Sequence, residues 1–293
     1  SMDIWQSAVP DTEVSSGWIG RWLDATRADP LSALSLGPTL PLAFRGERVQ
    51  AAALPAGSLS LPGTPAQRAA YAALERPLPG QAPLAAAVAA SGAELLRVQA
   101  TLSELLGPAG EAASDSALEG PGPKTRVQGP GRSGPAGQLG QQLDAVARLI
   151  AKDAPTKVYG VSLGGFDTHT DEKATQARLL SELDAALSGF VSSVRSSRRG
   201  AQTVVLVYSE FGRRVAANAS GGTDHGSAAP VLVLGPPVRG GFYGEEPSLT
   251  DLDSGNLKHT VDFRSVYATL LAKVVGVDPG ASLEGRWPHL DVV

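Results

Sequence analysis

Apolar residues spaced three and four apart run through residues 139–152, where Leu143, Val146, Ala147 and Ile150 fall on one face, the period of an amphipathic helix. The same spacing predicts helices over 171–195, with Leu179, Leu180, Leu183, Leu187 and Phe190 as the stripe, and over Pro83–Leu106 and 261–275. Short apolar runs stand between them. Residues 156–163 are β-branched and apolar, 203–208 read Thr-Val-Val-Leu-Val-Tyr, and 230–234 form a third run. The middle run shows no alternation, the pattern of a strand covered on both faces in a parallel sheet. Helix, strand, helix, strand in this order predicts a layered α/β fold with a mostly parallel sheet flanked by helices.

The first 65 residues are less regular. Gly17-Trp18-Ile19-Gly20-Arg21-Trp22-Leu23 predicts a short helix with Trp18 and Trp22 one turn apart as core anchors. Leu40-Pro41-Leu42-Ala43-Phe44 and Leu59-Ser60-Leu61 fit short strands or loops, and Pro41 confines the first to a sheet edge. A helix is expected over 65–75, with Pro65 in its first turn. Residues 107–137, with Gly120-Pro121-Gly122-Pro123 and Gly129-Pro130-Gly131, cannot hold a helix or a ladder and read as a long loop within one α/β domain of 293 residues.

Composition narrows the function classes. The formal net charge of −4 gives no electrostatic reason to expect nucleic acid as a partner. The basic cluster Arg195, Arg198 and Arg199 closes a predicted helix, where cations meet the negative end of the dipole. There is no Cys, which excludes disulfides, thiolate metal sites and a Cys nucleophile. No apolar run reaches the ~18 residues that a membrane span needs. No export signal is visible, and the opening Ser1-Met2-Asp3-Ile4-Trp5 reads as a tag remnant or as a segment cut from a longer chain.

Three strand ends carry carboxylate and imidazole together. Gly164-Gly165-Phe166-Asp167-Thr168-His169 follows the first, Ser209-Glu210-Phe211-Gly212-Arg213 follows the second, and Gly221-Gly222-Thr223-Asp224-His225-Gly226 precedes the third. Ligands in open α/β sheets bind just beyond the carboxyl ends of strands. Carboxylate oxygen with imidazole nitrogen is a ligand set for zinc, manganese or iron. The candidate ligands are Asp167, His169, Glu210, Asp224 and His225. Each piece has a structural alternative: Asp167 and His169 as a capped turn, and Glu210 as an ion-pair partner of Arg213 or Arg214.

Two other constellations compete. Gly160-Val161-Ser162-Leu163-Gly164 fits the Gly-x-Ser-x-Gly elbow of serine hydrolases, with Asp253 and His259 or His289 as partners. The elbow requires a helix directly after the serine, and Gly164-Gly165-Phe166-Asp167 is a poor helix start. Asp262 and Arg264 read as an N-cap carboxylate with a neighbouring cation.

The stretches Gly165-Phe166-Asp167-Thr168-His169, Ser209-Glu210-Phe211-Gly212-Arg213, Gly222-Thr223-Asp224-His225-Gly226 and Thr260-Val261-Asp262-Phe263-Arg264, with Asp3-Ile4-Trp5 and Gly17-Trp18-Ile19-Gly20-Arg21, resemble the domain-of-unknown-function 1501 family. The resemblance covers most of the chain. It implies an alkaline-phosphatase-like fold, shared with sulfatases and cofactor-independent phosphoglycerate mutases, and one or two divalent metals at strand ends. It also implies hydrolysis of phosphate or sulfate esters of a small molecule or polymer, in a periplasmic or secreted protein. By that likeness Asp167, His169 and His225 match metal ligands, Glu210 a ligand or general base, and Arg213 a holder of the tetrahedral anion. Ser209-Glu210 stands where the relatives have an Asp-His pair, which puts a second metal in doubt. The resemblance further implies an N-terminal portion, with the first sheet strand and the nucleophile, that this chain lacks. A non-catalytic exported protein that uses the metal for structure is the alternative from another class.

Overall fold

A computed structural model describes residues 2–37, 39–54, 64–74, 80–107 and 137–293. The run Leu59-Ser60-Leu61 and the Gly/Pro-rich stretch 108–136 lie outside the described residues. Helices α1 (Met2–Ser7) and α2 (Trp18–Thr26) are followed by strands β1 (Ala33–Leu36) and β2 (Ala52–Leu54). Helices α3 (Pro65–Leu74), α4 (Pro83–Leu106) and α5 (Gly137–Ala151) come next, then β3 (Val158–Gly160) and α6 (Glu172–Val194). The chain continues through β4 (Val205–Val207), β5 (Gly212–Ala217), β6 (Thr223–Gly226) and β7 (Leu232–Leu234). Helix α7 (Phe263–Leu270) then runs into a π-helical turn over Leu271–Val275. Among the described residues, no helix is long and apolar enough to cross a membrane.

The fold is mixed α/β, with a small parallel sheet of strand order β2-β1-β3. Leu34 of β1 lies opposite Ala52 on one side and Tyr159 on the other. Every residue of β1 is buried, and its side chains alternate between two apolar clusters as the pleat demands. Leu34 and Leu36 join Val98 and Leu102 of α4, Leu143, Val146 and Leu149 of α5, and Phe190 of α6. Ala33 joins the opposite cluster, with Trp18, Trp22 and Leu23 of α2, Phe44, and Tyr267 and Leu271 near the C-terminus. Trp18 and Trp22 are thus core anchors, and the Trp18 ring stacks on Tyr267 with centroids 4.4 Å apart.

Two expectations need correction, the direction of β4 and the place of Leu180, and a third was open. β4 does not extend the parallel sheet: it pairs antiparallel with β7, Val205 opposite Leu234. Its unbroken apolar run reflects contact with both clusters, Val205 touching the first and Leu206 the second, and two covered faces do not dictate strand direction. Of the two readings of residues 40–44, strand or loop, the structure takes the one without a strand: Leu42–Phe44 forms a single 3-10 turn. In α6 the buried line is Leu179, Ala186, Phe190 and Val194, and Leu180 is 49% exposed. Against the cluster shared with α5 the helix sets Ala186, Phe190 and Val194, with Leu183, Leu187 and Val191 beside them, and Leu180 faces outward.

Leu34 is fully buried at the centre of the sheet, so Leu34→Ala should cost about 2–5 kcal/mol. Leu180→Gln should stay within roughly ±0.5 kcal/mol. Urea unfolding of the two variants beside the unchanged protein measures both.

Candidate metal centre

The segment after β3 has no regular structure until α6 begins at Glu172. Gly165 turns it at φ +97°, a backbone region that side chains with a Cβ seldom enter. The turn carries Asp167 and His169. Opposite them the chain folds into the antiparallel hairpin of β5 and β6, in which Arg213 faces His225. Sequence reasoning placed Asp224 and His225 in a loop before a strand; they sit on strand β6 itself. A hairpin six residues long on one side and four on the other, rich in Gly and charge, carries no hydrophobic alternation to reveal it.

His225 Nε2 lies 2.8 Å from Asp167 Oδ1, and His169 Nε2 lies 3.1 Å from the same oxygen. Among the described residues, Asp167, His169 and His225 are the one group of three or more such side chains whose donor atoms converge, all within 4.8 Å of one another. The side chains are 69%, 48% and 42% exposed in that order. Asp224 lies outside this group, its Oδ1 3.5 Å from His169 Nδ1, the other ring nitrogen. Glu210 lies in the turn between β4 and β5, also outside the group.

Phe211 stacks nearly parallel on His225, centroids 3.8 Å apart and planes 7° apart, which fixes the imidazole's orientation. Asn218 in the hairpin turn donates from Nδ2 to the His169 carbonyl at 3.0 Å. Gly222 passes so close that a Cβ there would lie 2.6 Å from the same carbonyl oxygen. The hydrogen bond from His225 is the main reason that the Asp167 carboxyl sits below the usual carboxylate range; desolvation opposes it, and the charge of both imidazoles and the contact with His169 add to it.

Beneath the three side chains lies an ion pair that sequence reasoning missed. Glu172, buried at the first turn of α6, meets Arg213 Nε at 3.3 Å. Its Oε2 accepts from both the backbone N–H and the hydroxyl of Thr223, each at 2.7 Å. Arg213 also donates to the carbonyls of Thr223 and Phe166 and to Thr168 Oγ1. The sequence offers Glu210 as one alternative partner of Arg213 or Arg214; the carboxylate at Arg213 Nε is Glu172. Nothing in the string Asp171-Glu172 separates such a residue from an ordinary acid in a first helical turn.

A family model described as "Protein of unknown function (DUF1501)" matches residues 5–291. The chain belongs to the DUF1501 family. No curated protein and no solved structure matches it. Two further motifs of this DUF1501 chain can now be placed. Asp262 caps α7, accepting from the Arg264 N–H at 2.9 Å and pairing with its guanidinium, which lies over the Trp287 ring. That is the structural role expected of them. Ser162 is followed by irregular chain and not by a helix, so the backbone donors that a serine elbow needs are not assembled there.

The lowered carboxyl of Asp167 has a stability consequence whose sign is fixed. Its folded-state value lies below the unfolded one, so its contribution is present above the ordinary carboxylate range, near ~4, and is lost as pH falls through the folded value. Asp167→Asn should therefore lower stability slightly at pH 7 and narrow to no difference at the acid end. Urea midpoints collected from pH 7 down to about 2 test this.

Proposed function

We propose that this DUF1501 chain is a metal-dependent hydrolase of phosphate or sulfate esters with an alkaline-phosphatase-like architecture. The observation that carries the reading is the convergence of Asp167, His169 and His225 at the surface. Two nitrogens and one oxygen are a zinc or manganese donor set. Donors around a tetrahedral zinc stand roughly 3.3 Å apart, from bond lengths near 2.0–2.1 Å. The two contacts to Asp167 Oδ1, 2.8 and 3.1 Å, reach that spacing with shifts of a few tenths of an ångström.

Three protein donors leave a position open, as in catalytic sites, whereas structural zinc sites are closed by four. A divalent ion in this place supplies Lewis-acid polarisation of an ester oxygen and a lower pKa for a bound hydroxyl or water. The chain's own residues divide the remaining work. Asp224, at the far nitrogen of His169, orients that ring as carboxylate partners of ligating histidines do. Glu210, adjacent to Phe211 in the β4–β5 turn, is assigned the general-base role. Arg213 is not assigned the anion-holding role, because its guanidinium is engaged by Glu172, Thr223, Phe166 and Thr168.

The test is metal content followed by turnover. Protein reconstituted with zinc or manganese should retain about one ion per site through gel filtration and hydrolyse an aryl phosphate, phosphodiester or sulfate. His225→Ala should keep its circular dichroism, lose the ion and lose at least ~100-fold of the activity. Protein that takes up neither metal, or that gives the same rate with and without it, sinks the proposal.

A further inference from the structure

We infer that Arg213 is a positioning residue of the metal centre: with Glu172 it sets the spacing between the loop carrying Asp167 and His169 and the strand carrying His225. The inference rests on the metal reading above and names what holds that site in shape. The loop after β3 belongs to no ladder: backbone bonds from Asp171 to Ser220 and from Glu172 to Gly221, each 3.3 Å, tie its far end to the hairpin turn, and the stretch around Asp167 is held there by side chains. Arg213 supplies them from one planar group. Nη2 donates to the carbonyl of Phe166 and, at 3.2 Å, to Thr168 Oγ1, the two residues that flank Asp167. Nη1 donates at 2.6 Å to the carbonyl of Thr223, two residues before His225 on the same strand. Nε faces Glu172 at 3.3 Å.

Glu172 closes the circuit. Its second oxygen takes both donors of Thr223, so the start of α6, the turn of Asp167 and strand β6 meet at one guanidinium–carboxylate pair. The pair is shielded, with the Arg213 and Glu172 side chains 18% and 8% exposed, and solvent competes little for these bonds. Arg213 also stands directly across the hairpin from His225, and its guanidinium carbon lies 5.1 Å from the centre of the Phe211 ring that stacks on that imidazole. A guanidinium fork can hold donors aimed at four separate acceptors; a lysine ammonium presents its donors from a single point. Arg213→Lys therefore keeps the charge and removes the brace.

Cobalt(II) is the probe, because its visible absorption reports the symmetry and number of its ligands. The unchanged protein, Arg213→Lys and Thr168→Val are titrated with cobalt(II), with circular dichroism and thermal melting recorded for each. The expected result is a cobalt affinity weakened roughly 10- to 100-fold in Arg213→Lys, the range for loss of an outer partner of a metal site. Its absorption bands should shift, secondary structure should be retained, and Thr168→Val should show a smaller change in the same direction. Equal affinity and identical bands in Arg213→Lys and the unchanged protein overturn the brace and leave the metal reading intact. Failure of the unchanged protein to bind cobalt overturns the metal reading itself. If Arg213→Lys does not fold, Thr168→Val decides: weakened binding with altered bands supports the brace, and wild-type behaviour overturns it.

Discussion

Glu172 and Arg213 form the contact on which the arrangement around the candidate centre depends. Bringing a carboxylate and a guanidinium out of water costs several kcal/mol per ion, and their attraction offsets this only when further hydrogen bonds saturate both groups. Here they do. One oxygen of Glu172 faces Arg213 and the other takes the N–H and the hydroxyl of Thr223. The remaining Arg213 contacts go to Phe166, Thr168 and Thr223. The carboxylate also sits in the first turn of α6, at the positive end of the helix dipole. Removing either partner would strand the other charge, so the three segments that meet there are energetically coupled.

The residues above this pair have no comparable hold on one another. Contacts between exposed charged groups contribute little by themselves, being screened and opposed by side-chain entropy. Asp167, His169 and His225 are all exposed. Their convergence is inherited from what lies below and beside them: the guanidinium under the loop, the Phe211 ring against His225, and Asn218 on the His169 carbonyl. This division is physically economical, because a site reachable by solvent must leave its working atoms uncovered while its supports stay dry.

The helices were legible because their apolar spacing is long and regular: α4, α5 and α6 lie within a residue or two of where periodicity put them. Trp18 and Trp22 were legible for the same reason. β1 and β2 were not, since four and three residues are too short to show a period. The direction of β4 was also beyond a pattern that reports only which faces are covered. At the candidate centre, the strand-end placement of Asp167 and His169 followed from the Gly-rich turn after an apolar run. That His225 would join them while Asp224 and Glu210 stood outside the group depends on the β5–β6 register. That register is held by Arg213, Glu172 and close backbone contacts and leaves no hydrophobic signature. Glu172 was invisible because a buried first-turn acid and an exposed one are spelled alike.

The ring nitrogens of His169 bear on whether the cluster is a turn cap or an ion site. Its Nε2 lies 3.1 Å from Asp167 Oδ1, and its Nδ1 lies 3.5 Å from Asp224 Oδ1. Carboxylates accept and do not donate. A neutral imidazole carries one hydrogen, so it can satisfy one of these oxygens and must turn a lone pair toward the other. A cap confined to the turn would involve only the Asp167 side of the ring. His225, 58 positions away in sequence, instead brings a second Nε2 to the same Asp167 oxygen. Were a divalent ion bound as proposed, Asp167, His169 and His225 would hold it, and His169 would keep its hydrogen on the Nδ1 side, the side nearest Asp224. An outward carboxylate is how ligating histidines are ordinarily held, and Asp224 would fill that place for His169 under the proposed metal reading.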